Sequence, residues 1–553
     1  MNRSLSAAIL CTLALTATAQ TPAWQAPPKL VVGVVVDQMR VDYIYRYWSN
    51  FGEGGFKRLV QQGAFLRDAH YTYVPTITGP GHASIYTGSV PAYHGIVAND
   101  RYDRATHRMI YCVSDRTMTG VGDNGPDTAL ARRSPAQLLA TTLADEIERR
   151  TDRQGHTIGI ALKDRSSILP IGRTGDAAYW FSSTNGAFVS STWYMKQLPD
   201  WVKRFNAAKH TQAYLKNTWK PLLPIERYHQ VLPDENPYEL PIAGTHASFP
   251  YDLDSLSRSE GLGLITSTPW GNTLTTEMAL AAIAGEALGK DDITDLLAIS
   301  YSSTDILGHH VGPRALEIED MYIRLDQELA RLLNELDKQV GEGRWTLFLT
   351  ADHGAVDVPQ YLADLKGSAG YVDASVFKEA IDAGLVGRNT ADSTLYVGDG
   401  QIFFSGRNGQ PMEMEKRMRA CGIAYDALRN EPAIASVSFG SMADIMAGAA
   451  DRQEDAVRNG YMPQRCGDVQ YTLNPGFFEA EGKMKGKGTT HGSGWNYDTN
   501  VPVLFYGQGI VPGEVLRRTA VADIAPTISM IVGCALPDAA VGDPVPEVLQ
   551  PRR

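Results

Sequence analysis

"KLVVGVVVDQM", residues 29–39, decides how the rest of the chain is read. From Leu30 to Val36 every position is aliphatic or glycine, on both alternations of a strand. A strand that is apolar on both faces has to be covered on both, as in the middle of a parallel sheet. The run ends at Asp37, which puts a carboxylate at its C-terminal tip. "HTIGIALKDRS" (156–166), "LLAISYSSTD" (296–305) and "RWTLFLTADHG" (344–354) repeat the design, an apolar strand followed by polar residues. "VPVLFYGQGI" (501–510) is a further apolar strand.

Between these runs lie helical patterns with apolar residues at three- and four-residue steps: 136–150, 315–339 and 519–533, the last with Pro526 near its middle or start. Strand–helix alternation predicts an α/β fold, a central largely parallel sheet with helices on both faces. Ligands in such sheets collect at the carboxyl ends of the strands. Asp37, Lys163, Arg165, Asp305, Asp352 and His353 all fall there. Two irregular stretches, about 178–265 and 367–486, read as insertions on the main sheet. The first carries a hairpin signal at Asn185-Gly186.

The chain has 553 residues, 43% hydrophobic and 20% charged, which is a folded globular composition. Its net charge of −11 makes it a poor general partner for nucleic acid or anionic membrane. Residues 1–19 read as a secretory signal, with Arg3, an apolar run from Leu5 to Leu15, and Ala17-Thr18-Ala19 as the cleavage site. That run is about half of the roughly 20 residues a membrane span requires. The expectation is a periplasmic or secreted protein, with residues 20–553 as one catalytic domain and no stable membrane insertion. Beyond Cys11, the cysteines Cys112, Cys421, Cys466 and Cys534 permit two disulfides in any of three pairings. Buried free thiols are the alternative.

Several residues could carry chemistry. Asp305 and His309 are four apart and share one face of a helix. His310 points about 100° away from that face. Asp352 and His353 are adjacent in a loop after a strand. Asp37 is a helix cap or a ligand, and His491 stands among small residues in "GTTHGSG". Together these give three carboxylates and three histidines, enough for two sets of oxygen and nitrogen ligands with open positions. "PTITGPGHASIYTG" (75–88) ends an extended run at Thr78 and starts a helix through Gly79-Pro80-Gly81. Thr78 either caps that helix or presents a hydroxyl to an anion at its positive end. Lys163 and Arg165, two apart on an extended segment, project to one side and could grip a phosphate. Asn99 is a candidate amide donor. His82 and His94 are taken as structural.

These pieces, with "HGIVAND", "STDILGHHVGP" and "VADIAPTI", resemble the alkaline phosphatase superfamily in its order, over roughly residues 30 to 533. More narrowly the chain is similar to the phosphate-irrepressible bacterial alkaline phosphatases, which use a threonine nucleophile and are related to the nucleotide pyrophosphatase/phosphodiesterases. The resemblance implies one Zn2+ held by Asp305, His309 and His491. It implies a second held by Asp37, Asp352 and His353, with Thr78 on it as the nucleophile. Asn99, Lys163 and Arg165 would hold the phosphoryl oxygens, and no third Mg2+ site is expected. The implied activity is hydrolysis of small phosphate monoesters through a phosphothreonine, with a broad substrate range. A phosphodiesterase or nucleotide pyrophosphatase at the same site is the alternative. A monomer is favoured.

Overall fold

The computed structural model describes residues 26–122, 132–244, 246–387, 393–406, 410–439, 452–480 and 485–550. The expected signal at 1–19 lies outside them. Their centre is an eleven-stranded mixed sheet. Five neighbouring strands run parallel, in the order Trp345–Thr350, Leu30–Val36, Asp295–Tyr301, Thr157–Ala161 and Ala177–Ser182. Every residue of Leu30–Val36 is buried, as its two-sided apolar pattern requires. Asn500–Gly507 is antiparallel to both of its neighbours, Trp345–Thr350 and Ala64–His70.

Register is what makes the fold useful. Val36 pairs with Tyr301, Val35 with Thr350, and Ser300 with Ala161. Strands sharing this alignment end at one edge, so the residues that follow them emerge together. Helices flank the sheet in two packed groups. Thr78–Thr87, Asp164–Ile171, Leu143–Arg150 and Ile524–Val532 form one; Pro269–Gly285, Ser303–Val311 and Leu316–Leu336 form the other.

Some elements depart from the sequence reading. The pattern at 136–150 yields a helix only from Leu143 to Arg150. Thr142 ends the preceding coil because its hydroxyl accepts from the Asp145 N–H while Asp145 accepts from the Thr142 N–H, a capping box. Thr519–Ala520 is a short strand beside Ala64–His70, and the helix behind it begins at Ile524. Pro526 then lies in the first turn, where its missing N–H costs nothing.

The two irregular stretches behave differently. The hairpin Ala177–Ser182/Ala187–Ser191 that opens the first belongs to the main sheet rather than standing on it. The second builds a separate antiparallel sheet in the order Ser393–Gly398, Gln401–Ser405, Val469–Leu473 and Ile434–Phe439. It has its own core, with Ile381, Ile402, Ile423, Leu428 and Val469 among its buried residues. Neither disulfide permitted by the sequence forms: Cys112, Cys421, Cys466 and Cys534 are free thiols. Cys112, Cys421 and Cys466 are buried in three separate hydrophobic clusters.

Candidate active site

The aligned strand ends deliver the ligands. Asp37 follows Leu30–Val36 directly, its N–H donating to the Tyr301 carbonyl at 3.0 Å. Asp352 and His353 follow Trp345–Thr350. Asp305 and His309 lie one turn apart on Ser303–Val311, with His309 Nε2 3.2 Å from Asp305 Oδ1. His491 arrives from far along the chain. Its loop is tied down by Thr489, whose N–H donates to the His309 carbonyl and whose hydroxyl donates to the Val356 carbonyl. Asp498 Oδ2 also accepts from the Gly492 N–H and from the Ser493 N–H and hydroxyl.

Asp305, His309 and His491 form one compact group, their donor atoms within 4.8 Å of one another. Asp37, Asp305 and His353 form a second. Asp305 therefore stands between the two groups and completes the compact second triple, where the sequence reading had Asp352. Asp352 is still close by, with its Oδ2 3.6 Å from His353 Nε2. Three fully buried atoms here have no hydrogen-bond partner: Asp37 Oδ1, Asp352 Oδ2 and His353 Nε2. Orphaned buried acceptors are expensive unless something cationic meets them. They are the atoms that a second ion would take, and three carboxylates with three imidazoles are a donor set suited to zinc-like ions.

All three histidines are oriented alike. Nδ1 of His309, His353 and His491 donates to the carbonyls of Thr489, Gly354 and Thr76. A carbonyl only accepts, so each Nδ1 carries a proton and each Nε2 faces the carboxylates. The rings of His353 and His491 stack with centroids 3.4 Å apart.

The electrostatics show a site short of positive charge. Burial pushes the Asp37 carboxyl up to about 8, with Asp305 and Asp352 adding to the rise. Burial likewise pushes Asp352 up to about 6. Burial would raise Asp305 too, but His309 and Lys163 outweigh it and hold that carboxyl well below the usual range. Burial depresses His353, and His491 depresses it further.

Thr78 is the first residue of the helix Thr78–Thr87, after an extended Ile77. Two contacts fix this helix against the strand end. Gly81 packs so tightly on Asp352 that a Cβ there would lie 2.5 Å from the Asp352 carbonyl oxygen. His82 Nδ1 donates to the Thr78 carbonyl at 2.9 Å, and its Nε2 accepts from the Ser300 hydroxyl. Burial lowers His82 to about 4, so it is a neutral, hydrogen-bonded core residue. His94 is buried against Ser84 in the same way.

Arg165 Nη2 lies 3.3 Å from Thr78 Oγ1. Lys163 and Arg165 do not sit on an extended segment, as the sequence suggested. Lys163 precedes the helix Asp164–Ile171 and Arg165 is in its first turn. Both still reach the site. Lys163 Nζ donates to Asp37 Oδ2 and to Asp305 Oδ2, each at 2.6 Å. An ammonium has three protons, so one remains for another acceptor. Asn99 Oδ1 accepts from the Gly79 N–H at 2.7 Å, which leaves its Nδ2 to donate.

Two further residues belong here that the sequence reading did not single out. The Tyr111 hydroxyl donates to Asp164 Oδ1 and accepts from Arg165 Nη1 at 3.1 Å, and Arg133 binds the other Asp164 oxygen. Nothing in the sequence signals Tyr111, because it comes from a hairpin at Asp100–Tyr111 remote from the strand ends. Gln38 touches Asp352 through its N–H and Asp305 through its side chain. Its only signal was its place beside Asp37.

Residues 31–494 match the family model described as type I phosphodiesterase / nucleotide pyrophosphatase. The chain is 41% identical over 95% of its length, and 95% of the relative, to a protein of Myroides odoratus named calcium-transporting ATPase. It is 40% identical to alkaline phosphatase PafA of Elizabethkingia meningoseptica, over 94% of each chain. A crystal structure of wild-type alkaline phosphatase PafA superposes with a TM-score of 0.89 at 39% identity, covering 95% of this chain and 99% of that one.

Proposed function

The chain belongs to the type I phosphodiesterase / nucleotide pyrophosphatase family and is an enzyme of its alkaline phosphatase branch, and on that premise we propose that it is an exported two-zinc phosphatase of broad range. It hydrolyses phosphate monoesters to alcohol and inorganic phosphate through a phosphothreonine at Thr78. The observation that carries this reading is the approach of Arg165 to Thr78 Oγ1 at 3.3 Å, with Lys163 beside the same strand ends. A monoester dianion has one more charged oxygen than a diester, and a second fixed cation at the nucleophile is what that oxygen needs.

Asp305, His309 and His491 would hold one ion, and Asp37, Asp352 and His353 the other. When bound, two divalent cations would favour the alkoxide of a nearby hydroxyl and offset charge on the phosphoryl and leaving oxygens. The chain's residues do the rest. Thr78 Oγ1 attacks phosphorus in line, opposite the leaving oxygen. The Arg165 fork, the remaining Lys163 proton and Asn99 Nδ2 hold the three equatorial oxygens, where charge spreads in a loose transition state. Tyr111 and Asp164 keep the Arg165 guanidinium aimed. The threonine ester is then hydrolysed by water, releasing phosphate and restoring Thr78.

The family description and the name of the Myroides relative motivate two comparison substrates, a diester and ATP. Among the described residues no helix is long and apolar enough to cross a membrane. The test is metal analysis of purified protein together with turnover of an aryl monophosphate, a bis-aryl phosphate and ATP. Two zinc ions per chain and a monoester kcat/KM well above the diester value are expected. A preference for the diester would overturn the reading.

A further inference from the structure

We propose that Gln38 is a positioning residue that holds the two ligand groups in register, fixing Asp352 with its backbone and Asp305 with its side chain. The proposal rests on the two-metal reading above. Gln38 is buried, yet its φ is +62°, in the left-handed region that glycine occupies at little cost. A turn alone would be served by glycine. A strained, buried, long polar side chain at such a place is held there by its surroundings, and such residues cluster at functional sites.

What the strain secures is a pair of contacts. The Gln38 N–H donates to Asp352 Oδ1 at 3.2 Å. The other oxygen, Asp352 Oδ2, makes no hydrogen bond and lies 3.6 Å from His353 Nε2 and 3.3 Å from His82 Nδ1. The Gln38 Nε2 donates to Asp305 Oδ1 at 2.7 Å. That oxygen also lies near His309 and His491 Nε2, and after accepting from Gln38 it keeps a second lone pair for an ion. One residue thus grips a carboxylate from each group. Room for its side chain comes from Gly308, on the helix between Asp305 and His309. A Cβ at Gly308 would lie 2.0 Å from Gln38 Oε1.

The chemistry of the amide suits this task. Lys163 also bridges two carboxylates, but its charge competes with any cation placed between them and is wanted by the phosphoryl group. An amide orients a carboxylate without neutralising it. Hydrogen-bond partners of this kind, one step behind the metal ligands, set ligand direction and typically change metal affinity or activity by about 10–100-fold when removed.

The experiment uses two variants. Gln38→Met keeps the shape and the backbone donor but loses the amide. Gln38→Gly loses the amide and relaxes the backbone. Each is stripped of metal and titrated with Zn2+ against a competing chelator. Unfolding temperatures of the stripped proteins and monoester kcat and KM at saturating zinc are read alongside. Both variants are expected to bind zinc about 10–100-fold more weakly than wild type, with the loss in kcat rather than KM. Stripped Gln38→Gly should unfold no lower than stripped wild type, so that its weaker zinc binding is not a folding defect. Zinc affinities within about twofold of wild type in the variants would overturn the role of Gln38. Wild-type protein that bound no divalent metal would instead overturn the reading beneath it. If Gln38→Met does not fold, Gln38→Gly carries the test alone.

Discussion

The two ligand groups meet water differently. Asp37, Asp352 and His353 are wholly buried, and each ends in an atom without a partner. His309 and His491 place Nε2 3.2 and 3.5 Å from Asp305 Oδ1, and the His309 side chain is 33% exposed. The closed group is costly to leave without a cation. The open group touches solvent through His309.

The largest effect expected from breaking this division comes from Thr78→Ala. The helix that begins at Thr78 packs on Asp352 of the closed group, so its hydroxyl is the one the closed side serves. Turnover of an aryl monophosphate should fall by on the order of 10³-fold or more, with zinc content unchanged. A variant that kept a tenth of wild-type turnover would remove Thr78 as the nucleophile.

Arg165→Ala comes next. Monoester kcat/KM should drop by about 10²–10³-fold and diester kcat/KM by about tenfold at most. Equal losses on both substrates would show that the guanidinium does not read the extra charged oxygen.

Metal removal sharpens the contrast directly. Zinc release to excess chelator should be biphasic, with the fast phase from the open group. His309→Ala should abolish the fast phase and spare the slow one, and a single phase in wild type would mean that burial does not separate the two groups.

The smallest effect concerns the support behind the open group. Residues 236–240 brace it: the Leu240 N–H donates to the His310 carbonyl, and Lys487 Nζ donates to the Glu239 carbonyl. Burial pushes the Glu239 side chain up to about 9, and Glu317 adds to the rise. A carboxyl raised on folding favours the folded state at low pH, and that contribution is lost as pH climbs from its ordinary value of about 4.3 through the raised one. Glu239→Gln should therefore gain thermal stability over wild type increasingly from pH 5 to pH 9, with little change in kcat. A gap that stayed constant with pH would contradict the assignment.

Much of this was legible in the chain. Leu30–Val36 and its companions are apolar on both alternations, which only a covered parallel sheet satisfies, so the strand tips and their Asp, His and Lys residues could be located. The i, i+4 spacing of Asp305 and His309 needs only a helix to bring them together. What was misread depended on contacts distant in sequence or on local capping. A capping box at Thr142 shortened a helix that periodicity extended to 136. A helix start at Asp164 replaced the extended segment imagined for Lys163 and Arg165. The left-handed turn at Gln38 leaves no mark in composition, because glutamine is not a residue that signals one.

The sequence by itself determined the layered α/β architecture, the strands whose ends carry chemistry, and the inventory of carboxylates, imidazoles and cations, since each follows from periodicity or from residue type. Only the tertiary structure decided that Asp305 stands between the two groups, that Asp37, Asp352 and His353 are sealed from water, and that Tyr111 and Gln38 aim the residues around them. Register between strands sets those distances. Register is fixed by packing over the whole sheet, which no single stretch of chain contains.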